Sequence, residues 1–255
     1  MKKILIVSGD SFSDKDFRTF IHPELDTSWS KWPELLAKKL DMECINLAKS
    51  GAGNDYIYES LLETIQDTDK NRIGLVIAGW SQCQRRSWQE SKDLIWKNSR
   101  VDQKGDVFYW VKRTLRFYSS FQNLCERYNL PYKQFQMISL FQGWINGLFQ
   151  NDWEVHQNIL NPDPNFVERH IYPGDKNKDV IILQNMMLNY EKNINTKNFI
   201  GWPSIKELGG FYIEHRTIRT LKDKAIDDLV ISKYDAHPTA KGQEKILEFI
   251  YDRLG

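Results

Sequence analysis

A serine near the amino terminus stands where a nucleophile could act. Ser11 follows the apolar run Ile-Leu-Ile-Val at residues 4–7, and Gly9 permits a tight turn between the two. The carboxyl end of a buried parallel strand is where an open α/β sheet forms its ligand crevice. We expect Ser11 to enter the first turn of a helix, whose free N–H groups favour a developing anion. The alternative is that Asp10, Ser11 or Ser13 only caps that helix.

A nucleophilic serine needs a base and an acid that orients this base, and a segment near the carboxyl terminus offers both. His237 lies in the sequence Asp-Ala-His-Pro, directly before a predicted helix, so we expect it on a polar loop. Pro238 suits the first turn of that helix, where its missing N–H costs nothing. Asp235 is placed to hold the imidazole through Nδ1, and capping the helix is the alternative role of this aspartate.

Two more loops follow predicted strands at the same edge of the sheet. Gly51 begins the sequence Gly-Ala-Gly-Asn-Asp, and its N–H is a candidate donor to an oxyanion. For Asn54 in the same sequence, we favour the role of a helix N-cap. Ser81 and Gln82 follow the third strand and could also donate to an oxyanion, or they are ordinary polar loop residues. Arg85 is either an exposed arginine or a group that binds an acidic part of a substrate.

Short apolar runs alternate with amphipathic helical patterns, which is typical of a doubly wound α/β sheet. Strands are predicted at residues 4–7, 42–47, 73–78 and 135–140, and helices at residues 29–40, 54–68, 107–128, within 180–192, and at 238–254. Prolines and glycines interrupt the pattern between residues 141 and 230. We predict one flavodoxin-like, three-layer α/β/α domain over residues 1–255, with a mostly parallel sheet of about five strands and an aromatic-rich elaboration at about residues 84–230.

The composition narrows the classes of partner. The formal net charge is +1, so nothing favours nucleic acid or an anionic membrane. Three cysteines without CxxC spacing indicate reduced thiols, and we expect no metal or cofactor. No apolar run reaches the ~20 residues of a membrane span, and the run before Asp10 is too short for a signal peptide. We therefore expect a cytoplasmic protein.

Nine tryptophans must either pack in the core or form a binding face. Core packing is the more common outcome for any single tryptophan, but several together could form platforms on which sugar rings stack. The candidates for such platforms are Trp80, Trp88, Trp96, Trp110, Trp144, Trp153 and Trp202. The residues that we expect to contact a substrate are Asp10, Trp80, Gln82 and Arg85.

Three blocks of residues resemble those of the SGNH hydrolases, the GDSL-type esterases and lipases. Gly-Asp-Ser-Phe-Ser at residues 9–13 is similar to the first block, Asn-Leu-Ala-Lys-Ser-Gly at 46–51 to the second, and Asp-Ala-His-Pro at 235–238 to the last. The resemblance implies that Ser11 is the nucleophile and that the N–H groups of Ser11 and Gly51 hold the oxyanion. It also implies that Asp235 and His237 are the acid and the base.

The third block departs from the family's pattern. The family usually carries Gly-x-Asn-Asp there, whose asparagine donates to the oxyanion, whereas this chain has Gly-Trp-Ser-Gln at residues 79–82. Ser81 therefore stands where the third donor is expected, with Asn54 or Gln82 as alternatives. Losing one such donor typically costs about 2.7–4 kcal/mol of transition-state stabilisation. Gly-Trp-Ser followed by Arg85 is similar to a variant among phage-encoded members of the family.

The last block departs in its spacing. The family usually places two residues between the acid and the histidine, although variants with one residue exist. Here only Ala236 separates Asp235 from His237, so Asp227 and Asp228 are alternative acids.

The sequence predicts a metal-independent ester hydrolase that acts on a small-molecule or glycan ester, such as an O-acetyl carbohydrate, through a Ser-His-Asp triad. The two departures favour an alternative of another class, a catalytically weak or inactive module on the same fold that binds glycans or forms part of a virion. The oligomeric state does not follow from the sequence.

Overall fold

Nine strands and five longer helices are present in the part of the chain that the computed structural model describes, which is residues 2–90, 94–140, 176–219, 228–232 and 234–255. In chain order the strands are β1 (Ile4–Ser8), β2 (Glu43–Asn46), β3 (Ile73–Trp80), β4 (Arg86–Gln89), β5 (Trp96–Ser99), β6 (Tyr132–Gln136), β7 (Phe199–Ile200), β8 (Val230–Ser232) and β9 (Asp235–Pro238). The helices are α1 (Trp32–Lys39), α2 (Asn54–Asp67), α3 (Val107–Arg127), α4 (Lys176–Tyr190) and α5 (Ala240–Tyr251). Short helical turns lie at Lys70–Arg72, Glu191–Asn193, Lys206–Leu208 and His215–Arg219.

Five of the strands form one parallel sheet in the order β2-β1-β3-β6-β7. This is the flavodoxin-like order of a doubly wound sheet. The predicted α/β class, with about five parallel strands, is confirmed. The fifth strand, β7, was missed by the sequence analysis because it has only two residues.

Apolar side chains on both faces of the sheet produce the three layers. Successive residues of a strand point to opposite faces. Accordingly, Ile4 and Ile6 of β1 pack in a cluster with apolar residues of α2 and α3, whereas Leu5 and Val7 pack with those of α1 and α5. A strand that is buried on both faces explains the continuous apolar run that predicted β1.

The fourth strand of the sheet lies earlier than residues 135–140, where it was predicted. β6 begins at Tyr132 and contains two buried glutamines whose side chains are hydrogen-bonded. Gln134 Oε1 accepts from the Trp80 indole at 3.0 Å, and Gln136 Oε1 accepts from the Tyr118 hydroxyl at 2.5 Å. Apolar patterning misses a strand in which amides share the buried positions with Tyr132 and Phe135.

Two antiparallel hairpins stand apart from the sheet. One joins β4 to β5, and the other joins β8 to β9. The second hairpin corrects two predictions. His237 was expected on a loop and Pro238 in the first turn of a helix, but both residues lie in β9. The N-cap of α5 is Thr239, whose hydroxyl accepts from the N–H of Gly242 at 3.2 Å.

Candidate active site

Three side chains from the two ends of the chain form a hydrogen-bonded line. The distance from Ser11 Oγ to His237 Nε2 is 2.9 Å, and the distance from His237 Nδ1 to Asp235 Oδ1 is 2.5 Å. Asp235 is buried, whereas Ser11 and His237 are half-buried and therefore accessible. Since a carboxylate can only accept, Nδ1 carries the hydrogen of the neutral imidazole and Nε2 is free to accept from the serine. This is the arrangement in which a histidine can act as a general base.

A turn after β1 positions Ser11. The N–H of Ser13 donates to the carbonyl of Asp10 at 2.9 Å, and the N–H of Phe12 donates to Asp10 Oδ1 at 3.1 Å. Gly9 leaves room before this turn, because a Cβ there would lie 2.8 Å from Ser13 Oγ and would force that side chain to move. The predicted helix N-terminus at Ser11 is wrong: residues 11–13 form a turn, and α1 begins only at Trp32. The backbone of residues 11–13 is therefore held by the Asp10 side chain and not by helical hydrogen bonds.

The short β8–β9 hairpin positions the histidine and its acid. Ser232 Oγ accepts from the N–H groups of Tyr234 and Asp235, each at 3.1 Å, which closes the turn. Asp235 Oδ1 also accepts from the N–H of His237 at 3.0 Å, so the carboxylate is tied to the backbone beside the imidazole. Of the alternative acids, Asp228 pairs with Lys241 at the surface, and Asp227 lies outside the described residues.

Two backbone N–H groups at this edge of the sheet have no acceptor in the part of the chain that the structure describes. Within the described residues, the N–H groups of Ser11 and Gly51 donate to no acceptor, whereas their neighbours are engaged. The loop that carries Gly51 is held against the Ser11 turn. The N–H of Lys49 donates to the carbonyl of Gly9 at 3.1 Å, and Ser50 donates through its N–H and hydroxyl to Asp14 Oδ2 at 2.8 and 2.6 Å. Gly51 has a φ of +77°, a conformation that favours glycine.

Of the three side chains expected as a third donor, Asn54 is engaged elsewhere and Ser81 is buried. The Asn54 amide donates to the carbonyl of Ser81 at 3.3 Å and to Thr114 Oγ1 at 3.2 Å, which uses both of its hydrogens. Its Oδ1 accepts from the N–H of Ser81 at 2.8 Å. Ser81 is fully buried, and its Oγ accepts from Arg85 Nη1 at 2.9 Å. Asn54 thus fixes the backbone of Ser81 and has no hydrogen left for an oxyanion.

A buried charge pair lies next to the Ser11 turn. Asp10 is fully buried, and its Oδ2 lies 3.7 Å from Arg85 Nη1. Burial raises the pKa of Asp10, while the positive charge of Arg85 opposes this increase. Arg85 Nε donates to Gln82 Oε1 at 2.8 Å, but Nη2 donates to no acceptor among the described residues. Of the predicted substrate contacts, Arg85 therefore keeps a free amino group, whereas Asp10 and Gln82 are used inside the protein.

The tryptophans divide between core and surface. The prediction that Trp80 contacts a substrate is wrong, because this side chain is fully buried, packs against Tyr118 and Phe121, and donates to Gln134. Trp110 is also buried, and Trp96 and Trp202 are half-buried. Trp88 on β4 is 40% exposed and is the best remaining platform in the described ranges. Trp144 and Trp153 lie outside them.

Two residues that the sequence analysis missed contact Asp235 and His237. Thr19 Oγ1 donates to Asp235 Oδ2 at 2.5 Å, and the ring of Phe17 stacks on His237 with a centroid distance of 4.2 Å. Both belong to the irregular segment between the Ser11 turn and α1. No motif marks this segment, so only the tertiary structure could identify its contacts.

The described residues contain no group of three or more His, Cys, Asp or Glu side chains that could hold a metal ion. In the same ranges, no helix has the length and apolar character needed to cross a membrane. The three cysteines are free, and burial raises the pKa of each thiol, to about 12 in Cys44.

The charge of Asp235 should affect how the free energy of unfolding changes at acidic pH. Burial works against this charge, but hydrogen bonds from His237 and Thr19 and the attraction of His237 outweigh burial and lower the pKa of Asp235 from 3.8 to about 2. A carboxyl group with a lowered pKa stabilises the fold above its unfolded pKa, and this contribution is lost as the pH falls through the folded value. We expect Asp235→Asn to lower the free energy of unfolding at about pH 5 and to matter much less at about pH 2.

Urea unfolding of both proteins at the two pH values measures this difference. Asp252→Asn, at an exposed aspartate beyond α5, is the control and should change little at either pH. An effect of Asp235→Asn that is equal at both values would contradict the stabilised charge.

Comparison with known proteins gives similarity in structure and not in sequence. No model of a known protein family matches the chain, and no curated protein matches it. A solved protein of the G-D-S-L family from Desulfitobacterium hafniense DCB-2 is 11% identical, with a TM-score of 0.47 and 99% of each chain covered. The psychrotrophic esterase EstA from Pseudoalteromonas sp. is 12% identical, with a TM-score of 0.49, covering 99% of this chain and 96% of that one.

The acetyl xylan esterase AlAXEase is 13% identical, with a TM-score of 0.47 and 98% of each chain covered. The solved structures similar to this chain include proteins of the GDSL and SGNH group.

Proposed function

We propose that this chain is a serine-dependent hydrolase of carboxylic esters, with Ser11 as nucleophile, His237 as general base and Asp235 as the acid that orients it. The observation that carries the proposal is the continuous line from Ser11 Oγ through both ring nitrogens of His237 to a buried carboxylate. Each group has the partner that its role requires. The free N–H groups of Ser11 and Gly51 beside this line support acyl transfer, because an oxyanion needs donors that are not already engaged.

The reaction follows from these positions. Ser11 Oγ attacks the acyl carbonyl while His237 Nε2 takes its proton, and Asp235 stabilises the imidazolium that forms. The carbonyl oxygen becomes negative and accepts from the N–H groups of Ser11 and Gly51. When the tetrahedral intermediate collapses, His237 returns the proton to the leaving alcohol. Water, activated by the same histidine, then releases the acid from the acyl enzyme.

The third donor is the weakest part of this machinery. We retain Ser81 as the residue nearest to that role, but its hydroxyl is buried and already accepts from Arg85. Asn54 is better explained as the residue that positions Ser81. The two backbone donors should therefore supply most of the oxyanion stabilisation.

The proposed substrate is a carbohydrate ester. An O-acyl or O-acetyl ester of a carbohydrate is supported by the exposed Trp88, since sugar rings stack on indole surfaces. Trp88 lies on the β4–β5 hairpin, whose Asn98 contacts the carbonyl of Ser50 beside Gly51. The free Nη2 of Arg85 is the group that would bind an acidic part of the substrate. Cytoplasmic location and similarity to phage-encoded variants remain predictions.

A catalytically inactive glycan-binding module on the same fold is the competing function, and the buried Ser81 favours it. Hydrolysis of p-nitrophenyl acetate and of an acetylated xylo-oligosaccharide separates the two. We expect Ser11→Ala to lower kcat/KM by at least about 10³-fold, because removal of a triad nucleophile has effects of this size. Ser28→Ala, on an exposed serine, is the matched control and should keep the activity. Turnover that survives in Ser11→Ala would overturn the nucleophile, and wild-type protein without turnover would favour the binding module.

The contribution of Ser81 to oxyanion stabilisation can be measured apart from that of the two backbone donors. We expect Ser81→Ala to lower kcat by less than about tenfold, well short of the about 10²–10³-fold loss that follows removal of a full oxyanion donor. Ser60→Ala, at a buried serine that pairs with Ser8, controls for loss of a buried hydroxyl and should leave kcat unchanged. A loss of about 10²-fold or more in Ser81→Ala would mean that this hydroxyl turns into the site after all.

A further inference from the structure

The carboxylate of Asp235 is held at both of its oxygens. His237 Nδ1 donates to Oδ1, and Thr19 Oγ1 donates to Oδ2 at 2.5 Å. Thr19 is buried and comes from the other end of the chain, so this contact is tertiary. Without it, Oδ2 would be a buried charged oxygen that lacks this donor, and only the contacts of Oδ1 would hold the carboxylate beside the imidazole.

The hydroxyl of Thr19 is itself oriented. Its oxygen accepts from the N–H groups of Ile21 at 3.2 Å and His22 at 3.3 Å. A hydroxyl has two lone pairs and one hydrogen. Because both lone pairs face backbone donors, the hydrogen is directed at Asp235 and the group acts as a fixed donor.

The segment that carries Thr19 is anchored on both sides of it. Before it, the carbonyl of Phe17 accepts from Thr27 Oγ1 at 2.5 Å, and the Phe17 ring stacks on His237. After it, His22 Nε2 lies 2.8 Å from Ser232 Oγ, in the turn that leads to Asp235. The segment therefore contacts the β8–β9 hairpin at several points, and Thr19 is the point at which it reaches the triad carboxylate.

We propose that Thr19 is a positioning residue of this site, whose hydroxyl fixes the rotation of the Asp235 carboxylate and thereby the direction of the His237 ring. The inference rests on the proposed function for its kinetic consequence, but its structural consequence is independent of that function. Thr19 acts through Asp235 and makes no contact with the reacting atoms.

The test compares two buried threonines of the same segment. Thr19→Val removes the donor to Asp235, whereas Thr27→Val removes a hydroxyl that only anchors the segment backbone. We expect Thr19→Val to lower kcat by about tenfold with little change in KM, since a hydrogen bond to a charged group has about this effect. Thr27→Val and Thr19→Ser, which keeps the hydroxyl, should retain most of kcat. If Thr19→Val does not fold, Thr19→Cys replaces it, because a thiol is a weak donor.

Proton NMR of the same variants gives a readout that does not depend on activity. The Nδ1 proton that His237 shares with Asp235 should give a low-field signal in the unaltered protein, Thr19→Ser and Thr27→Val, and this signal should be lost or moved upfield in Thr19→Val. An unchanged signal in Thr19→Val, or equal losses of kcat in the two valine variants, would overturn the positioning role. Failure of the proposed function would instead appear as turnover that survives in Ser11→Ala.

Discussion

The hydrogen bond between Ser11 and His237 joins residues that are 226 positions apart, and the candidate site depends on it. It can form only if the turn after β1 and the β8–β9 hairpin meet at the same edge of the sheet. The parallel order of the sheet provides this edge, since the carboxyl ends of its strands lie together. The loop after β2 meets the same edge and brings the free N–H of Gly51 there through backbone contacts with the Ser11 turn.

Buried polar groups hold the loops at this edge in place. Asp10 supports the Ser11 turn, Asp14 holds the Gly51 loop, and Asn54 holds the backbone of Ser81. Each of these side chains is buried and satisfies a backbone donor. Arg85 adds a positive charge beside Asp10, which compensates for burying a carboxylate next to Ser11. The result is a hydrogen-bonded frame around two backbone N–H groups that have no acceptor among the described residues.

Sequence patterns predicted the central sheet well, because β1 and β3 are apolar on both faces and α2 has a regular apolar stripe. The same patterns predicted that Ser11, Gly51 and His237 lie close together, since Ser11 and Gly51 follow predicted strands and His237 precedes the last predicted helix. They failed where tertiary contacts decide the outcome: β6 is stabilised by buried glutamines, and His237 lies in a strand formed only by pairing with β8. Thr19 carries no local signal, because its partner is 216 positions away.

The central claim is that an ester carbonyl reacts at Ser11 with its oxygen between the N–H groups of Ser11 and Gly51. A crystal structure of the protein after reaction with an alkyl phosphonate tests this most directly, because the phosphonyl oxygen takes the place of the oxyanion. We predict phosphorus bonded to Ser11 Oγ and one of its oxygens within about 2.7–3.2 Å of both nitrogens. A phosphonate on another residue, or an oxygen that contacts neither N–H, would contradict the account.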